Sequence, residues 1–280
     1  RVTIGGTEAG ARNVISGNGI AAGIPDIAVS GSSDTVIRGN YIGTDASGLR
    51  ALDSPGDGIF VRGFVGTPDE RTVIGGPEPG AGNVIAGHGD DGISLLGPNV
   101  GNTLIQNNLI GLDATGTGVL GNLDDGIALQ AVEGMRNLGN VIAGNDDNGI
   151  VADAIVDADG LGNRSGTDAG GTLPLGNTEN GILLRGAAER VRIGGTESGD
   201  ANVIAFNGGL GIDLADDGAT PNDVGDADEG PNRLQNTPDL ASATGDGTST
   251  LNVRYTVDTA PANAVSPLTV AFYLADAEGE

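Results

Sequence analysis

Apolar residues in this chain come in short runs of three to five, closed off by Gly, Asn and Asp, and the runs return in nearly the same words. Asn13-Val-Ile-Ser-Gly-Asn18 recurs as Asn83-Val-Ile-Ala-Gly-His88, Asn140-Val-Ile-Ala-Gly-Asn145 and Asn202-Val-Ile-Ala-Phe-Asn207, with the related Thr35-Val-Ile-Arg-Gly-Asn40 and Thr103-Leu-Ile-Gln-Asn-Asn108 between them. A second element, Gly-Ile-x-Leu/Val, starts at Gly58, Gly92, Gly126, Gly181 and Gly211. Runs this short are strands, because a helix needs ten or more uninterrupted residues. Side chains alternate along a strand, so the Ile and Leu of Gly-Ile-x-Leu share one face. The intervening position is Phe60, Ser94, Ala128, Leu183 or Asp213, a freedom that marks it as outward.

A short strand with a tight turn cannot bury its apolar side alone, but stacked coils can. The predicted fold is all-β: a right-handed parallel β-helix, or solenoid, over residues 1–220, of about seven coils and roughly 30–35 Å long at the strand spacing of ~4.8 Å. Ile15, Ile37, Ile85, Ile105, Ile142 and Ile204 are expected to form one internal ladder. Asn13, Asn83, Asn140 and Asn202 suit turn corners, where Asn tolerates left-handed backbone and stacked amides bond one another. These asparagines are read as structural.

From about residue 215 the aliphatic repeat gives way to Asp, Gly, Pro and Thr. Residues 221–248 are expected to be an acidic cap or linker. Residues 249–280 hold two alternating stretches, Leu251–Val257 and Leu268–Leu274. They predict either the start of a β-sandwich-like module or a capping hairpin.

Composition sharpens this picture. Gly is 52 of 280 residues and aromatics are 2%, yet aliphatics hold the hydrophobic fraction at 38%, enough to exclude disorder for the repeat region. The net charge is −25 and every one of the 13 basic residues is Arg. Such a surface repels nucleic acid and anionic lipid, so neither nucleic-acid binding nor membrane insertion is expected. Cys is absent, which removes disulfides, thiolate metal sites and cysteine nucleophiles. No apolar run approaches transmembrane length.

Taken together, Asn-Val-Ile-Ala-Gly-Asn, Asp-Gly-Ile-x-Leu and Ile-Gly-Thr/Leu-Asp-Ala-Ser/Thr-Gly (Ile42 to Gly48, Ile110 to Gly116) resemble the right-handed parallel β-helix repeat proteins of bacterial surfaces. The resemblance covers residues 1 to about 240. It implies a secreted or cell-surface location and a non-catalytic adhesin-like or matrix scaffold, with carbohydrate or other surface proteins as partners. Arg1-Val-Thr-Ile-Gly-Gly6 matches Arg71-Thr-Val-Ile-Gly-Gly76, so the chain opens inside a coil. Head-to-tail self-association into filaments is therefore a further expectation.

Parallel β-helices also host polysaccharide hydrolases and lyases, so a carbohydrate-active enzyme is the alternative. Its candidates are His88, Asp90 and Asp91, in a Gly-His-Gly-Asp-Asp-Gly run similar to the acids and histidine of polygalacturonase-like hydrolases. The repeat explains the same residues: His88 holds the register of Asn18, Asn145 and Asn207, and Asp90-Asp91-Gly92 matches Asp124-Asp125-Gly126. Catalytic residues are accordingly not assigned, and the acids are expected to serve turns. For metal, Asp226 with Asp228 and Asp157 with Asp159 place carboxylates two apart on expected loops, the pattern of an oxygen-ligand Ca²⁺ site.

Overall fold

A computed structural model describes the chain apart from residues 19–22, 65, 67, 246–250, 261–262 and 264–280. Three parallel sheets of seven strands each run the length of the solenoid, and every coil contributes one strand to each sheet. The right-handed parallel β-helix read from the sequence is the observed fold. The first coil shows the order: Thr3–Gly5 in the first sheet, Val14–Ile15 in the second, Ile27–Ser30 in the third. The seventh repeats it with Glu189–Ile193, Val203–Ile204 and Ile212–Leu214.

Each sheet supplies an inward column, and the third adds a second through Val29, Val61, Leu95, Leu129, Ala152 and Leu184. In the third, Ile27, Ile59, Ile93, Ile127, Ile150, Ile182 and Ile212 lie in register from coil to coil. In the second, Ile15, Ile42, Ile85, Ile110 and Ile142 are followed by Ser165 and Ile204. In the first, Ile4, Ile37, Ile74 and Ile105 give way to Asn137 and Gly160. The single ladder expected from the sequence is therefore two: Ile37 and Ile105 stand in the first sheet, Ile15, Ile85, Ile142 and Ile204 in the second. Similar Val-Ile words occupy both flanks of one corner, which is what merged them. Small branched side chains at ~4.8 Å spacing fill such columns without voids, and a wide aromatic would not.

Asparagine holds that corner. Asn13, Asn40, Asn83, Asn108, Asn140, Asn163 and Asn202 form one column in which each Oδ1 accepts the backbone N–H and the side-chain amide of the asparagine one coil earlier. Each interior amide also donates to a main-chain carbonyl, as Asn108 does to Ile74. Buried polar backbone at a turn is thus satisfied in every coil.

The Ile42–Gly48 and Ile110–Gly116 words lead into hairpins outside the second sheet, bridged at Thr44–Ala51 and Leu112–Val119, with a third at Thr167–Pro174. The three stack: Ala114 N donates to Gly48 O and Ala169 N to Gly116 O. Leu112 closes with Val141 and Ala143 into a small second core beneath them.

After Leu214 the chain crosses the last coil. Asn232 completes it like a missing strand, accepting from Val191 N and donating to Val191 O. Beyond the cap, Asp239–Gly245 pairs antiparallel with Leu251–Thr256. The partner of the Leu251 strand is therefore a segment read as linker, and Leu268–Leu274 lies outside the described residues.

Candidate functional site

The corner between the second and third sheets carries the unusual chemistry. Its inner column is Ser54, His88, Asn122, Asn145, Asn177 and Asn207. From His88 on, each N–H finds the Oδ1 of the next residue, as in His88 N to Asn122 Oδ1 at 3.2 Å and Asn145 N to Asn177 Oδ1 at 3.1 Å. His88 keeps this ladder through Nδ1, which lies 2.9 Å from Asn122 Oδ1. Its Nε2 faces Asp26 Oδ2 at 3.3 Å, with both side chains fully buried.

Asp26 escaped the sequence reading. In other coils the residue before the third-sheet Ile is Gly, since a Cβ at Gly92 would lie 2.9 Å from Ile110 Cγ2 and 2.8 Å from Asn122 Nδ2. In the first coil Asp26 stands there and points inward to Ser54 and His88. Burial works against its charge, but hydrogen bonds from His88, Ser54 and Asn18 outweigh it, so its carboxyl sits below the ordinary carboxylate range. An Asp in a Gly position was the available signal. His88 is thus a buried staple between the first and third coils, its side chain closed off from solvent.

Three residues further on, a second buried column follows: Asp57, Asp91, Asp125, Asn148 and Asn180. One oxygen of each accepts the next coil's backbone N–H, from Asp91 N to Asp57 Oδ1 at 3.3 Å through Leu210 N to Asn180 Oδ1 at 2.7 Å. Asp90, Asp124, Asp147 and Glu179 precede members of this column and line its outer edge. Burial, then the charge of Asp90, pushes Asp57 up to about 6. Burial, then Asp125, pushes Asp91 up to about 8. Burial raises Asp125 to about 7; the Asn148 hydrogen bond opposes it, and Asp147 and Asp124 add to the rise. Asp90, Asp124 and Asp147 are also raised, by burial first and neighbouring carboxylates second.

Asp91, Asp124 and Asp125 border a trough of about 230 Å³ on the outer face of the third sheet. Asp91, Asp124 and Asp125 form one rim, Ser94, Ala128 and Val151 the floor, and Gln130, Asp153 and Arg185 the far side. Arg185 is tied to Asp153 at 3.2 Å and approaches Asp216 at 3.8 Å. Of the three sequence candidates, Asp91 lines this trough, Asp90 stands close to Asp91, and His88 is not among the lining residues.

Among the described residues three acidic groups have oxygens within 4.8 Å of one another, close enough to hold a metal ion: Asp57–Asp90–Asp91, Asp91–Asp124–Asp125 and Asp223–Asp226–Asp228. Asp226 and Asp228 therefore come together, joined by Asp223. Asp226 is already well supplied, accepting from Gln235 Nε2, Asn236 N and Thr259 Oγ1. Asp228 Oδ1 is buried with no hydrogen-bond partner. Asp157 and Asp159 lie in the strand Val156–Leu161 and not on the expected loop. Asp157 pairs with Arg190 at 2.6 Å, and Asp159 with Arg192 at 2.9 Å and Arg136 at 3.6 Å.

No family model and no curated protein matches the chain. Among solved structures it is similar to the A-module of the mannuronan C-5 epimerase AlgE4 of Azotobacter vinelandii, at 16% identity and a TM-score of 0.40 over 76% of this chain and 57% of the other. It is also similar to a doubly substituted form of the periplasmic alginate epimerase AlgG, at 16% identity and 0.39 over 67% and 45%. The chain thus spans about half the length of either structure, and likeness at this level carries no activity to it. Among the described residues no helix is long and apolar enough to cross a membrane.

The expectation of a non-catalytic surface or matrix scaffold is corrected here. It rested on every conspicuous residue being absorbed by the solenoid. The acids of the trough are not: the same backbone bonds are made by Asn148 and Asn180 without buried charge. The carbohydrate-active alternative accounts for these acids better.

Proposed function

We propose that this chain is a carbohydrate-active enzyme that works by acid–base chemistry on a polysaccharide lying along the third sheet, in an extracellular or periplasmic setting. The observation that supports it is a buried carboxyl, Asp91, close to Asp124 and Asp125 at an open trough. Asp91, pushed up to about 8, keeps its proton near neutral pH, while Asp90 and Asp124 are less buried. Paired acids whose surroundings separate their pKa values supply a proton donor and an acceptor to a glycosidic polymer. In this reading Asp91 is the donor and Asp90 or Asp124 the base. Incubation with a panel of neutral and acidic polysaccharides tests it, read by reducing ends, by unsaturated products and by epimer composition. Asp91→Asn keeps an acceptor for Asp125 N–H, as Asn148 does in its own coil, so a loss of turnover in that variant is chemical. Turnover unchanged by Asp91→Asn overturns the assignment.

A second reading concerns Ca²⁺ in the cap, supported by the partnerless buried Asp228 Oδ1 beside Asp223 and Asp226. A cation bound only to the folded cap raises the melting temperature by mass action. The expected result is a higher melting temperature in millimolar Ca²⁺ than in chelator, lost in Asp228→Asn. Identical melting in both conditions removes the site.

A further inference from the structure

We infer that the polymer accepted by the third-sheet trough carries no carboxylates, being a neutral or amino-bearing polysaccharide and not a polyuronate. This rests on the reading that the trough binds a polysaccharide, and it names the substrate class. The first argument is the trough's charge. Asp124 lines one rim beside Asp91 and Asp125, Asp90 and Asp147 flank that rim, and Asp153 stands on the far side.

The second is the state of its cations. Arg185 is engaged by Asp153 and Asp216, and Arg62, on the same outer edge of the sheet, lies over the Phe64 ring at 4.9 Å. The chain has no Lys to add, and its net charge is −25. A uronate in the trough would set its carboxylate among like charges with no uncommitted cation beside it, an arrangement that specific sites use to reject a ligand. Hydroxyl and ammonium groups meet the opposite situation. Carboxylates accept hydrogen bonds from both, and ammonium gains charge assistance. The floor of Ser94, Ala128 and Val151 is small and flat enough for a sugar ring to approach the sheet.

The test is an equilibrium binding series with the whole chain. The ligands are a soluble neutral β-glucan, a partly deacetylated chitin polymer and a polyuronate of matched length, at about 20 and about 300 mM salt with chelator and again with Ca²⁺. Binding of the neutral polymer independent of salt, tighter binding of the amino polymer at low salt, and no binding of the polyuronate are expected. The triple variant Asp90→Asn, Asp124→Asn, Asp147→Asn is expected to gain at least about tenfold in polyuronate affinity at low salt. A wild-type preference for polyuronate, in chelator or through bridging Ca²⁺, overturns the inference and leaves the enzyme reading standing. No binding and no turnover of any polymer overturns both.

Discussion

Two corners of the same coil solve one problem with different residues. At the corner between the first and second sheets, seven asparagines from Asn13 to Asn202 give each buried backbone N–H an acceptor, and their own amides donate onward. At the entry to the third sheet, Asp57, Asp91 and Asp125 accept the equivalent bonds, then Asn148 and Asn180 take over. An ionised Asp has no donor to offer its neighbour, and stacked at ~4.8 Å it repels the next. Folding alone favours Asn throughout. Aspartate confined to three coils, beside a trough, marks a place where stability is set against chemistry.

The largest effect is expected where the asparagine corner is broken. Asn108→Ala leaves Asn83 N–H without its acceptor and removes the donors to Ile74 O and Asn140 Oδ1. Each orphaned buried group costs about 1–3 kcal/mol, so a loss of about 3–5 kcal/mol is expected. In a chain of this size that is a fall of about 10 °C in melting temperature. A loss under about 1 kcal/mol would show that the ladder is decoration and remove one side of the comparison.

The acidic corner should respond in the opposite direction. Asp125→Asn is expected to stabilise the protein at pH 8 by about 2–4 kcal/mol, because the wild-type carboxyl is pushed up to about 7 and must ionise there against burial and its neighbours. At pH 4 the carboxyl is protonated in the fold and the two proteins should unfold alike. The wild type follows the same sign. Asp57, Asp125 and Asp91, near 6, 7 and 8, hold their protons more tightly folded than unfolded. Their contribution is therefore fully present below about pH 4 and lost as pH rises to about 8. Chemical denaturation across that range checks both statements, and stability rising with pH would contradict them.

His88→Asn is the intermediate case, since it converts the one imidazole of the inner column into the residue used by the coils above. The bond to Asn122 should survive. Asp26 loses the His88 contact at 3.3 Å and keeps Ser54 and Asn18, so a cost of about 1–2 kcal/mol is expected, with turnover unchanged. Loss of turnover with stability retained would return His88 to the chemistry.

What could be read in advance follows from period. The coils, the inward Ile and Leu, the outward position before Leu95 or Leu129, and the structural nature of Asn13, Asn83, Asn140 and Asn202 were legible because each recurs with the stack. Which sheet a Val-Ile word belongs to was not, because Ile37 and Ile42 flank one Asn corner in similar surroundings. The acids were visible as doublets. Their significance was not, because burial and the proximity of Asp91 to Asp57 and Asp125 arise only when coils stack. Asp26 was missed for the reverse reason: it breaks the pattern, by one carboxylate where the repeat has Gly.

A third column of acids shows what the trough lacks, and there the smallest effect is expected. On the first sheet Asp157 and Asp159 are met one coil later by Arg190 and Arg192, and Asp159 also by Arg136 one coil earlier. Asp157 is held below the ordinary carboxylate range, chiefly by its hydrogen bond from Arg190. Its contribution would be present above pH 4 and lost in acid, the inverse of Asp91, but the pair is exposed, and exposed pairs contribute little in water. Asp157→Asn should therefore leave the melting temperature within scatter at pH 7, at low and high salt. It should leave any response to Ca²⁺ unchanged as well, because Arg190 already fills the place a cation would take. A Ca²⁺-dependent melting shift that disappears in Asp157→Asn would move the metal site from the cap to this strand. It would also show that an arginine one coil away does not satisfy a carboxylate column in the way the comparison requires.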